Sequence, residues 1–197
     1  MQGTDSTTHD QLDAERGRLF ALLGRLMGSA PDAALLARLR LLRGVPGELG
    51  EAYAALATAA ATTPDAVERE YFDLFIGVGR GEILPYASYY LTGFLHERPL
   101  ADLRGDLRRL GIERAEGVSD PEDHIAFLCE THAGLIVGAF AAGPEDAQPF
   151  FARHIRPWAG RLFADLEKAD GAHFYRAVGR LGRIAVELEA AAADLPA

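Results

Sequence analysis

The chain has 197 residues, 49% hydrophobic and 25% charged, which is enough apolar material for a core without disulfides or metal and sets the expectation of one domain. Its formal net charge of −9 argues against a nucleic-acid partner, which needs a basic footprint, and suits a basic partner such as an arginine-bearing peptide. Cys129 is the only cysteine, so neither an internal disulfide nor a thiolate cluster can form.

The polar opening "MQGTDSTTHDQ" lacks the basic and apolar regions of a signal peptide. No apolar stretch reaches the ~20 residues needed to span a bilayer, so a cytoplasmic protein without stable membrane insertion is expected. Residues 1–9 read as a flexible tail ahead of a single domain over 10–197. From there the apolar period is helical, and β-branched residues are sparse. Leu12, Leu19, Leu22, Leu23 and Leu26 mark a helix over Leu12–Met27. Asp32–Leu42 and Glu48–Ala61 read as two more, separated by "RGVPG". Thr63 and Pro64 have the cap and first-turn chemistry of a fourth helix, which puts Val67, Tyr71, Leu74 and Phe75 on one face. Three glycines and a proline in "IGVGRGEILP" stop it. A short helix over Ser88–Leu95 follows, then one from Pro99 to Leu110 closed by Gly111. The loop "IERAEGVS" leads into a long apolar helix from Pro121 to about Ala142. Segments over Glu145–Arg153 and Pro157–Lys168 meet at "HIRPW", and a last helix spans His173 to about Ala193. No repeat is evident, so the expected architecture is an all-α, single-domain helical globule or bundle.

The stretch "SDPEDHIAFLCETH" carries most of the functional signal. Local physics accounts for part of it: Asp120 suits an N-cap, Pro121 the first helical position, and Glu122 and Asp123 the positive end of the helix dipole. It does not account for His124, which Asp123 can orient or raise in pKa, so a functional Asp–His pair stands beside the capping reading. A metal site fits poorly. His124 and His132 are two turns apart, roughly 12 Å along a helix axis, and no "CxxC" or "HExxH" is present. "GVGRGE" follows a helix rather than a strand and has no "GK[ST]" after it, so it reads as a helix stop and not a phosphate loop. In "LPYASYYLTGFL" the tyrosines Tyr86, Tyr89 and Tyr90 serve either a core that satisfies their hydroxyls or a groove for a peptide. Nothing in the sequence points directly to an enzyme.

Taken in order, "EYFDLFIGVGRGEILPYASYYLTGFLHERPLADLRGDLRRLGI", "DPEDHIAFLCE", "FFARHIRPWAGRLFADLE" and "FYRAVGRLG" resemble the TorD/DmsD/NarJ family of cytoplasmic chaperones for molybdoenzymes, from about Glu70 to Gly182. "GEILPYASYYLTG" resembles the members associated with formate dehydrogenases. The resemblance implies an all-helical fold. It also implies a function: binding the twin-arginine signal peptide or another part of a molybdenum-cofactor oxidoreductase's catalytic subunit, assisting cofactor insertion and preventing premature export. The family motif Glu-Pro-x-Asp-His places client-binding roles on Asp123 and His124, with Asp120 standing where the motif has Glu. The family's apolar signal-binding positions fall on Leu74, Phe75, Tyr86 and Tyr90, the last two being tryptophans in the DmsD branch. Glu122 and Asp123 then offer carboxylates to guanidinium groups, and the apolar set offers a groove. Two other readings stay open: an assembly factor with weak molybdenum-cofactor or guanine-nucleotide contact, and a plain helical interaction module. No catalytic residue, resident cofactor or metal is expected, and the state is monomer or homodimer, since domain-swapped dimers occur in the family.

Overall fold

Local helix signals are satisfied almost throughout. The computed structural model of the protein describes residues 3–114 and 120–194, with side chains from Asp10 onward. Among these residues there are ten α-helices, one π-helical turn and one 3₁₀ turn, and no strand, as the all-α expectation requires. Met1 and Gln2 of the expected tail, and residues 115–119 of the expected loop, lie outside the described residues. Contacts group the chain into two compact units, Met1–Arg25 with Tyr86–Pro157 and Leu26–Pro85 with Trp158–Ala197. We keep the one-domain organisation over 10–197 as a proposal.

The first unit holds most of α1 (Gly3–Gly28), then α5 (Ala87–Thr92), α6 (Arg98–Leu110), α7 (Ile125–Ile136), the 3₁₀ turn Pro144–Asp146 and α8 (Ala147–His154). On α6, Leu100, Leu103, Leu107 and Leu110 recur at helical spacing and are all buried, while the charged residues between them face outward. The face of α7 is broader, and Ile125, Leu128, Cys129, His132, Leu135 and Ile136 are all buried. His132 packs its ring edge-on to Phe20, with centroids 4.6 Å apart, and lies 5.3 Å from Phe151. That aromatic stack is the centre of this unit. Burial pushes the Cys129 thiol up in pKa, with the nearby Glu130 charge adding to it, so the residue is an inert core side chain.

The second unit holds α2 (Ala33–Leu39), α3 (Glu48–Ala59), α4 (Pro64–Tyr71) with its π-helical continuation Phe72–Ile76, α9 (Ala159–Lys168) and α10 (Phe174–Ala193). Thr63 caps α4 as the sequence suggests, accepting the Ala66 N–H at 3.3 Å ahead of Pro64, and Asp32 caps α2 by accepting the Leu35 N–H at 2.7 Å. The π turn ends at Gly77, whose φ of +61 favours glycine. The N-terminus of α10 is capped from far along the chain. The Glu70 carboxylate accepts the N–H groups of His173, Phe174 and Tyr175 at 2.8, 3.1 and 2.7 Å. α10 lies against α9, α3 and α4 over a core that includes Leu56, Val67, Phe163 and Tyr175.

Several helix boundaries differ from the sequence reading: α1 begins at Gly3 rather than Leu12, and α2 ends at Leu39 rather than Leu42. α5 ends at Thr92, before Gly93, rather than at Leu95. α7 runs over Ile125–Ile136, not from Pro121 to Ala142. At its end Gly138 turns to φ +65, and the Ala139 N–H closes back on the Gly134 carbonyl at 2.8 Å. Its beginning is displaced by tertiary bonds, described next.

Candidate functional site

The site begins with a competition for the backbone around Asp123. A free peptide with this sequence would start its helix at Asp120. In the folded chain the Asp123 carbonyl accepts the Ala87 N–H at 3.0 Å, and Asp123 Oδ2 accepts the Ser88 N–H at 2.8 Å. Tyr86 and His124 form an isolated antiparallel bridge. These bonds hold residues 120–123 as a turn, closed by the His124 N–H on the Pro121 carbonyl at 3.1 Å. The helix therefore starts later, with His124 as its N-cap: imidazole Nδ1 accepts the Ala126 N–H at 3.1 Å. Asp120 is released from capping. Its carbonyl accepts from Arg114 Nη1 at 2.7 Å, and its carboxylate meets the Tyr86 hydroxyl in a long contact of 3.5 Å.

The electrostatics follow from this burial. Nδ1 can only accept from a backbone N–H, so the cap requires an imidazole unprotonated at that nitrogen. Burial lowers the His124 pKa from 6.5 to about 4, against the opposing charges of Asp120 and Asp123. Asp123 does act to raise this pKa, as expected, but desolvation outweighs both carboxylates and the net shift is downward. The His124 ring stands edge-on to Tyr86, with centroids 5.0 Å apart. Glu122 accepts from both Arg104 Nε and Nη2, at 2.9 and 2.7 Å. Burial alone would raise the Glu122 pKa. The Arg104 hydrogen bonds, its own backbone N–H and the charges of Arg104 and Arg114 outweigh that and hold it below the ordinary value.

Tyr86, Glu122, Asp123 and His124 are therefore brought together in the first unit. Asp123 is only 1% exposed, so its carboxylate is an internal clamp on α5 rather than an open receptor. Its Oδ1 and the Ser88 Oγ are both buried with no hydrogen-bond partner among the described residues. Tyr90, further along α5, is half-buried, its ring 6.0 Å from that of Tyr89. Leu74 and Phe75 belong to the second unit. Leu74 is buried, its carbonyl holding the Ile83 N–H at 2.8 Å, and Phe75 packs half-buried on Tyr71 and edge-on to Tyr175.

The structure adds residues that no sequence pattern marked. Ser88 supplies the N–H that fixes Asp123, and Arg104 and Arg114 engage the turn. Behind α5, Ala87, Leu91, Leu103 and Leu128, with Asp102, Arg153 and His154, line a cavity of about 130 Å³. Two of its polar residues, His154 and Arg153, are joined by Asp106, whose Oδ2 lies 2.8 Å from both His154 Nε2 and Arg153 Nη1. Among the described residues no three His, Cys, Asp or Glu side chains gather where a metal ion would sit, and no helix is long and apolar enough to cross a membrane.

The stretch of chain that holds this corner resembles known proteins. A chaperone protein TorD of Vibrio cholerae serotype O1 is 26% identical over 121 residues, which are 57% of this chain and 55% of that protein. TorD proteins of Aliivibrio fischeri and Aliivibrio salmonicida are 31% and 29% identical over 119 residues, 55% of each chain. The match spans about half the length of these curated relatives. A sequence model of the family described as nitrate reductase delta subunit matches residues 43–164, more than half of the chain and including both α5 and the Asp120–His124 turn. On that match, and with the TorD-like motifs in order along the sequence, the chain belongs to the nitrate reductase delta subunit family, which includes the TorD-like proteins.

Proposed function

We propose that the protein is a cytoplasmic redox-enzyme maturation chaperone. It binds the twin-arginine signal peptide, the catalytic subunit, or both, of a molybdenum-cofactor oxidoreductase, and holds that subunit from export until cofactor is inserted. It acts by binding, without turnover. The observation that carries the reading is the family match over residues 43–164, with relatives named as TorD chaperones.

The corner built from Tyr86, Ser88 and residues 120–124 supports it physically. A rigid turn, fixed by buried hydrogen bonds, presents Glu122 beside the aromatic Tyr86. That combination suits a segment with basic residues next to apolar ones. In this reading Asp123 and His124 hold the turn, Glu122 and Tyr86 face the client, and Tyr90 adds an apolar contact from α5; Leu74, which is buried, and Phe75, which packs on Tyr71 and Tyr175, serve the core of the second unit. The net charge of −9 favours encounter with a basic leader. A formate dehydrogenase is the first client to try, from the "GEILPYASYYLTG" stretch.

Calorimetric titration with twin-arginine leaders of the host's molybdoenzymes tests the reading. Saturable micromolar binding by one leader, weakening as salt is raised, is expected. If no leader binds and a pull-down with the full catalytic subunit also recovers nothing, the chaperone assignment is lost.

A further inference from the structure

The acceptors at the recognition corner are already occupied from within. Arg104, on α6, places Nε and Nη2 on Glu122 Oε2 at 2.9 and 2.7 Å. Arg114, four residues beyond the end of that helix, places Nη1 on the Asp120 carbonyl at 2.7 Å. The two acceptors are two residues apart on one clamped turn. The Arg114 charge acts on Glu122 as well, so both guanidinium groups share one local field. Glu122 is largely covered, with 14% of its side chain exposed, whereas Arg104 is 48% exposed and Arg114 lies at the surface. The carboxylate is thus the fixed, pre-organised partner, and the arginines are the parts free to leave. A pair with its guanidinium half in water is weakly held and open to exchange.

We propose that the turn Asp120–Glu122 is a double guanidinium site and that Arg104 and Arg114 are resident stand-ins, displaced when two arginines of a client peptide bind. The inference rests on the chaperone reading above and deepens it, because it names the chemistry that the corner takes. The fixed parts are the Asp120 carbonyl and the Glu122 carboxylate, held in place by the Asp123 bonds to Ala87 and Ser88. A client arginine exchanges one guanidinium for another, so no carboxylate is left bare during binding. Lysine, a point charge without the planar fork, replaces the residents less well. The residents also keep the corner closed to isolated cations, since only a peptide delivering two guanidinium groups together replaces both.

The test is calorimetric titration of the full-length protein with a twin-arginine leader peptide and with the same peptide carrying two lysines. It compares the wild type with Arg104→Gln, Arg114→Gln, Glu122→Gln and Arg104→Gln/Glu122→Gln. The glutamines keep the aliphatic stems, and melting curves check that each variant folds. Each single arginine variant is expected to bind the arginine peptide about two- to fivefold more tightly, because the competing resident is gone. Glu122→Gln is expected to bind about tenfold more weakly, and the double variant to match it rather than recover. Unchanged or weaker binding by both arginine variants, with the wild type still binding, overturns the stand-in role and leaves the chaperone reading intact. Equal affinity for the lysine peptide overturns the guanidinium assignment. Binding by neither the wild type nor any variant overturns the inference together with the leader-binding reading.

Discussion

His124 functions as a neutral, buried N-cap, and this has a measurable consequence. In the unfolded chain it takes up a proton near its ordinary 6.5; in the folded protein it does so only near pH 4. Between these values the unfolded state binds more protons, so stability is greatest above pH 6.5 and is lost as pH falls toward 4. His154, whose pKa burial also lowers against the opposing Asp106, adds to the same window. Glu122, held below the ordinary 4.5, contributes stability that is lost only as pH falls further. His124→Asn keeps a side-chain acceptor for Ala126 and removes the titration. It is expected to match the wild type at pH 7 and to decline less steeply between pH 6.5 and 4.5 in urea titrations at a series of pH values, with His154 leaving a residual slope. His124→Ala loses the cap and is expected to cost about 1 kcal/mol at pH 7. Superimposable pH profiles for the wild type and His124→Asn would refute the buried-neutral assignment.

Helix packing turns on two glycines that look alike in sequence. Gly179, within α10, sits where an added Cβ would lie 2.6 Å from the Glu167 nitrogen and 2.8 Å from the Phe163 carbonyl oxygen of α9, both backbone atoms that cannot swing aside. Gly105, within α6, has nothing within 4 Å of that position. Alanine is worth ~1 kcal/mol over glycine in a helix interior, while forcing a packed backbone contact costs ~1–3 kcal/mol. Gly105→Ala is therefore expected to stabilise by about 0.5–1 kcal/mol and Gly179→Ala to destabilise by about 1 kcal/mol or more, read from urea midpoints. A stabilising Gly179→Ala would show that α9 and α10 have room to separate. At this same scale the helical period of "PLADLRGDLRRL" correctly marked α6, because Leu100, Leu103, Leu107 and Leu110 report their burial in their spacing. The sequence places the start of α7 at Pro121 because Asp120-Pro121-Glu122-Asp123 is locally a good helix opening. Only the bonds from Asp123 to Ala87 and Ser88 draw it into a turn.

On the scale of the whole molecule, the chain passes between its two contact units at residues 25/26, 85/86 and 157/158, and α1 continues through the first of these as one unbroken helix. Each unit is made of two separated stretches of chain, so closing one depends on placing the other's segments. The one-domain proposal therefore predicts a single calorimetric transition with matching calorimetric and van't Hoff enthalpies. Two resolved transitions would assign the units separate stabilities and end the proposal.

The sequence by itself determined the all-α class, the Thr63 cap, the stop at Gly77 and the family, because each rests on residues within a turn or two of one another or on the order of short motifs. Only the tertiary structure decided what the Asp123–His124 corner is made of. Its bonds join residues 35 apart at Ser88 and Asp123, and 18 apart at Arg104 and Glu122. The Glu70 cap on α10 reaches across more than 100 positions. Periodicity and capping are local and leave a trace in the order of residues. Such long-range hydrogen bonds leave none, since which donor meets which carboxylate is settled by how the helices pack.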